Sequence, residues 1–114
     1  MRASTFPPEI TATAGPTLAD GLAGGIGEIA FDHRDLVDEV ANVTEAEIED
    51  AMVALLAADQ VVAEASGAVG VAALRSGKVA VAGRGPAVAV VTGGNVDARV
   101  LARLLAARYP GDPR

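Results

Sequence analysis

The chain has 114 residues, 51% of them apolar but only 3% aromatic. Its core must therefore be packed with Ala, Val and Leu, and it is too apolar to be read as disordered. A formal net charge of −6, with Lys78 the one lysine among nine basic residues, argues against nucleic acid as a partner, which would call for a basic face. There are no cysteines, which excludes a disulfide scaffold, a thiolate zinc site and a cysteine nucleophile. No apolar run approaches the roughly 18 residues of a membrane span, and residues 1–8 carry no apolar leader. The expected setting is soluble and cytoplasmic, with no membrane partner.

Residues 1–16 contain Pro7, Pro8, Gly15 and Pro16 and read as an irregular lead-in, with a short edge strand at 9–13. Thr17 is placed to cap a short helix through residue 23, which Gly24 and Gly25 would end. A second helix is expected over 31–37, capped by Asp32, and the alternation at 39–43 suggests a short strand.

Thr44-Glu45-Ala46-Glu47 is the clearest local signal. Thr44 can accept from the amide of Glu47, and Glu47 can reach back to the amide of Thr44. Ile48, Met52, Leu55 and Leu56 then mark one apolar face of a helix running to about Asp59. Residues 61–63 read as briefly extended. A small-residue, apolar helix follows over 66–76, closed by Gly77, and residues 78–86 form a loop.

The β-branched run at 87–91 has the pattern of a central parallel strand buried on both faces. Gly93 and Gly94 turn the chain. A last helix spans 97–108 with Val100, Leu101, Leu104 and Leu105 inward, and residues 110–114 are a tail stopped by Pro110, Gly111 and Pro113. The fold class is α/β, with an incomplete sheet flanked by helices. One strong strand needs neighbours, and these are expected in sequence before Met1.

Three segments could carry chemistry. Thr92-Gly93-Gly94-Asn95 sits where a buried strand meets a helix. Ligands of open α/β sheets bind at such strand ends, glycines let them approach the backbone, and helix N-termini attract anions. On its own the tetrapeptide reads first as a tight strand–helix connection with Asn95 as cap. Glu64, before a small-residue helix, can complement the helix dipole. Asp20 can be a helix-terminal acid and Gly21 a packing glycine. His33, the one histidine, lies between Asp32 and Arg34 and reads as solvated.

Taken together and in order, Leu18-Ala19-Asp20-Gly21-Leu22, Glu64-Ala65-Ser66-Gly67-Ala68 and Thr92-Gly93-Gly94-Asn95 resemble the C-terminal part of fold-type II pyridoxal-phosphate enzymes. The resemblance is to the threonine/serine dehydratase and serine racemase family, and it covers about residues 16–108, with 17–109 as the catalytic-domain portion. It implies a three-layer α/β domain and pyridoxal phosphate as cofactor. Thr92 stands where the family has a serine facing the pyridine nitrogen. Gly93, Gly94 and Asn95 complete that segment, Glu64 lies near the ring, and Gly21 borders the site. Ala65 departs from the glycine or proline common after the glutamate.

The resemblance also implies what this stretch lacks. The family's Schiff-base lysine sits in a Ser-x-Lys-x-Arg-Gly setting, and a tetraglycine loop binds the phosphate. Neither occurs here, and Lys78, in Ser76-Gly77-Lys78-Val79, reads as a surface charge. No metal site is carried over. The expectation is a partial enzyme, inactive alone. It would be completed by an N-terminal half or assembled as a homo-oligomer, and would act on a small amino acid. A non-catalytic interaction module derived from the same fold is the alternative.

Overall fold

The computed structural model describes residues 15–81, 83 and 85–111. The edge strand expected at 9–13 and the end of the tail lie outside them. Among the described residues there are four α-helices, α1 (Glu28–Asp32), α2 (Glu45–Asp59), α3 (Ala65–Arg75) and α4 (Ala98–Arg108), with 3-10 turns at Asp20–Leu22 and Arg34–Leu36. No helix among the described residues is long and apolar enough to cross a membrane.

α2 starts where its sequence dictates. The Glu47 amide donates to Thr44 Oγ1 at 3.2 Å and the Thr44 amide donates to Glu47 Oε2 at 2.7 Å, satisfying two amides that a helix start leaves unpaired. Ile48, Met52 and Leu55 are buried as expected, while Leu56 is only half-buried. Ala51 and Val53 are buried as well, so α2 covers more than one stripe: it packs on both α3 and α4. Gln60 ends it in the left-handed region at φ 55°, and the Val61 amide turns back to the Leu55 carbonyl at 3.0 Å.

α3 has small residues where it meets its neighbours. Ala65, Ala68 and Ala72 lie in the core, whereas Gly67 and Gly70 face the segment 89–92. The helix is therefore sandwiched rather than buried all round. α4 is capped by Asp97, whose carboxylate accepts from the Arg99 amide at 2.7 Å. It buries Leu104 and packs Val100, Leu101 and Leu105 against the core, as their spacing predicts. Asn95 does not serve as the cap.

The sheet is where expectation and structure part. None of the described residues is in a strand, including 39–43, 61–63 and 87–91. In the last segment Val88 is 84% and Val90 74% exposed. Ala89 and Val91 are half-buried, and Ala89 lies against Gly70 of α3. That alternation is the one an extended chain makes with a single covered face. A strand exists only in a ladder, and the described residues supply no second segment for one.

Two helices differ as well. Residues 17–23 hold only a 3-10 turn, because the Thr17 hydroxyl is engaged with Glu45 and the Ala19 amide instead of a helix start. The helix of 31–37 is shifted forward and broken at His33. Asp32 closes α1 rather than capping it, and Arg34–Leu36 follow as a separate 3-10 turn.

Exposed charges tie the other segments to α2. Glu47 pairs with Lys78 at 2.8 Å, Asp50 with Arg75 at 2.9 Å and Glu49 with Arg103 at 3.1 Å. Both Glu45 and Glu47 titrate below the ordinary value of 4.5. For Glu45 the Thr17 hydroxyl and then the Leu18 amide stabilise the carboxylate; for Glu47, Lys78 and then the Thr44 amide do. A carboxyl whose folded value is depressed stabilises fully above its unfolded value, and that contribution is lost as pH falls through the folded one. Solvent screening keeps the effect small. Urea unfolding should need less denaturant at about pH 3 than at about pH 6, and Glu47→Gln should flatten part of that fall. A midpoint in Glu47→Gln that falls as steeply as in the parent chain would show that the pair contributes nothing.

Candidate cofactor-pocket wall

The three motifs meet at the N-terminus of α3. Glu64 is the residue before the helix, and its carbonyl accepts from the Gly67 and Ala68 amides at 3.0 and 3.1 Å. Its own amide donates to the Gly93 carbonyl at 3.1 Å, which joins the start of α3 to the glycine turn. Gly93 has φ 71°, a region that costs other residues strain. A Cβ there would also run into the Glu64 carboxylate, and one on Gly94 would lie 3.2 Å from the Val62 carbonyl oxygen.

Gly67 makes the closest approach. A Cβ built on it would overlap the Thr92 carbonyl oxygen and lie 2.7 Å from the carbonyl carbon. The absence of a side chain lets the Thr92 backbone rest on the first turn of α3. The 3-10 turn arrives from the other direction. A Cβ on Gly21 would be 2.8 Å from Ser66 Oγ. That oxygen is buried and has no hydrogen-bond partner among the described residues, a condition that costs free energy unless a partner is supplied.

Glu64, Gly93, Gly94, Thr92 and Gly21 are thus brought together, within or beside one helix start. Thr92, Gly93, Gly94 and Asn95 are exposed, whereas Glu64 is half-buried. Asn95 lies one residue beyond the contact with Val62. The helix start that the glycine turn abuts is that of α3 and not, as the strand-to-helix pattern suggested, that of α4. Asp20 is exposed at the head of its 3-10 turn.

Ser66 and Gly67 are the residues whose place at the site sequence reasoning missed. The signal available was the glycine pair Gly67 and Gly70, three apart on one helix face. Lys78 is elsewhere. It follows the C-terminal end of α3, so the length of an 11-residue helix, about 16 Å, separates it from the Glu64 end. His33 is exposed, and its Nδ1 lies 2.7 Å from the Ile29 carbonyl oxygen.

A helix start, a glycine turn with a left-handed residue, and a hydroxyl and a carboxylate beside them form a surface whose backbone a ligand could approach closely. The family of pyridoxal-phosphate dependent enzymes matches residues 2–93, and the chain belongs to that family. The match takes in the first two motifs and the Thr92-Gly93 half of the third, and stops before α4. The family is α/β and its cofactor is pyridoxal phosphate.

Among relatives, the L-threonine ammonia-lyase of Thermotoga maritima is 45% identical over 92 residues, covering 79% of this chain and 22% of that protein. The catabolic L-threonine dehydratase TdcB of Escherichia coli is 41% identical over 103 residues, 85% of this chain and 31% of its own length. An L-threonine ammonia-lyase of Geobacter sulfurreducens is 43% identical over 88 residues, 75% of this chain and 21% of its own length. The chain therefore spans between a fifth and a third of the length of these relatives.

Proposed function

We propose that this chain forms the ring-side wall of the cofactor pocket in a serine/threonine dehydratase, or ammonia-lyase, and that it is inactive alone. The observation that supports this most is the meeting of three separated motifs around the Glu64–Gly93 hydrogen bond. The residues suit a flat, polar-edged group. Gly93 and Gly94 leave the backbone approachable, and Ser66 Oγ is a buried hydroxyl without a partner among the described residues.

In this reading Thr92 offers its hydroxyl to the ring nitrogen, Glu64 stands close to the ring, Gly21 makes room for Ser66, and Asn95 borders the turn. Bound pyridoxal phosphate supplies an electron sink for the α-carbon of an amino acid. A neutral hydroxyl at the ring nitrogen, unlike a carboxylate, does not force that nitrogen to stay protonated. The weaker sink suits loss of water from a β-hydroxy amino acid. The relatives named for threonine favour threonine as the substrate of the completed enzyme.

The cofactor-bearing lysine and the phosphate loop would come from a complementing N-terminal half. The same half would pair with residues 87–91, make them a strand of a three-layer domain, and cover Val88 and Val90. Assembly as a homo-oligomer and a cytoplasmic setting belong to the same reading.

The test is Thr92 in the chain supplied with such a half from the family. Thr92→Ser should retain cofactor and turnover. Thr92→Val should weaken cofactor retention about fivefold, because a lost hydrogen bond between neutral groups costs about 1 kcal/mol. Equal behaviour of the two variants would return Thr92-Gly93-Gly94-Asn95 to a plain turn.

A further inference from the structure

We propose that Glu45 is a positioning residue for this site: its carboxylate fixes the segment that sets Gly21 against Ser66. Glu45 Oε1 accepts from the Thr17 hydroxyl at 2.5 Å, and Oε2 accepts from the Leu18 amide at 2.9 Å. Thr17 Oγ1 in turn accepts from the Ala19 amide at 3.1 Å. One carboxylate thus holds Thr17 and Leu18 directly, 28 and 27 positions away in sequence, and Ala19 through the Thr17 hydroxyl.

The consequence reaches the site through a short chain of contacts. Ala19 is 5% exposed, part of the core, and its carbonyl accepts from the Leu22 amide at 2.9 Å. The Ala23 amide closes on Asp20 at 3.0 Å, which completes the 3-10 turn. Gly21 lies in the middle of that turn, and the place of its missing Cβ is 2.8 Å from Ser66 Oγ. The turn is three residues long and has no side-chain cap of its own. So short an element does not hold its position by propensity, and the anchor at Thr17 and Leu18 does so instead.

A plainer role is available to Glu45. It is the first residue of α2, where any acid complements the helix dipole. The two roles separate experimentally. Glu45→Gln removes the charge and one of the two acceptor oxygens, so the side chain can no longer accept from both the Thr17 hydroxyl and the Leu18 amide. Thr17→Val removes the hydroxyl and leaves the charge at the helix start untouched.

The functional side of the proposal rests on the reading of this region as a cofactor wall, but its test needs no cofactor. Amide resonances of the full chain are followed in nitrogen-edited proton spectra across an acid titration. In the parent protein, the Leu18, Gly21 and Ser66 amides are expected to share a transition below pH 4.5, where Glu45 titrates. The transition that counts is the part of it that is lost in Glu45→Gln. Thr17→Val is expected to displace Gly21 and Ser66 at neutral pH while the amides of the first turn of α2 stay in place.

If Gly21 and Ser66 keep both their shifts and their titration in Glu45→Gln and Thr17→Val, the anchor does not reach the site and the proposal is overturned. If these shifts occur while Thr92→Val and Thr92→Ser bind cofactor equally in the complemented protein, the cofactor reading fails and the anchor stands.

Discussion

Gly67→Ala should destabilise the chain, although alanine is the better helix former. In a helix interior, replacing glycine by alanine ordinarily gains about 0.5–1 kcal/mol. Here the added methyl would overlap the Thr92 carbonyl oxygen and stand 2.7 Å from the carbonyl carbon and 3.1 Å from the Thr92 nitrogen. These are backbone atoms, so no side-chain rotation relieves the collision. Forcing an extra methyl into a closed contact costs about 1–3 kcal/mol, which outweighs the helix gain.

The segment that must retreat carries Thr92 and Gly93. The Glu64-to-Gly93 hydrogen bond should therefore stretch or break, and the wall should open. Gly70→Ala is the internal control. Its Cβ would meet Ala89 Cβ at 3.6 Å, an ordinary contact, so the helix gain should prevail there. Urea midpoints followed by circular dichroism should move in opposite directions for the two variants. Two midpoints that both rise would mean that the 89–92 segment does not rest on α3 in solution.

That pair of glycines also marks the limit of what the amino-acid order discloses. α2 was legible because its signals are local: the Thr44–Glu47 box and the spacing of Ile48, Met52 and Leu55 lie within a few turns of one another. α4 was legible for the same reason, through Val100, Leu101, Leu104 and Leu105. The strand expected at 87–91 was not a matter of local pattern. Its apolar run specifies an extended chain with something to cover, but a ladder requires a partner, and Val88 and Val90 lie open.

The site divides along the same line. Motif order singled out Glu64, Thr92, Gly93 and Gly21, and the three segments that carry them converge on one helix start. For Ser66 and Gly67 the one signal was the spacing of Gly67 and Gly70, which marks a face of α3 without naming what meets it. Their parts depend on which side of α3 meets 92–94 and which meets the 3-10 turn, a long-range choice that neither residue records by itself. Asn95 shows the converse error. A polar residue just before a helix resembles a cap, but Asp97 lies closer to the helix start and takes that role.

Gly93→Ala should combine two penalties that a double-mutant cycle can separate. The first is conformational. At φ 71° a residue with a Cβ pays about 1–2 kcal/mol for the left-handed region. The second is contact with Glu64, whose carboxylate carbon would lie 2.5 Å and whose Cγ 3.0 Å from the new methyl. Glu64 is flexible beyond its backbone, so the carboxylate can swing away from the turn rather than force the backbone apart. The expected stability loss is therefore close to the conformational term, about 1–2 kcal/mol, and the larger consequence is a displaced Glu64 carboxylate.

In a Glu64→Ala background the contact is absent and only the strain remains. The cost of Gly93→Ala should then be smaller than in the parent chain, with a coupling of about 0.5–1 kcal/mol, as for residues in direct contact. Gly93→Asn, whose short amide tolerates the left-handed region better than alanine, should lose less through strain and still displace Glu64. Strict additivity in the Glu64→Ala cycle would mean that Gly93 is required for its backbone angle alone, and that the Glu64 carboxylate does not stand against the glycine turn where a ring would lie.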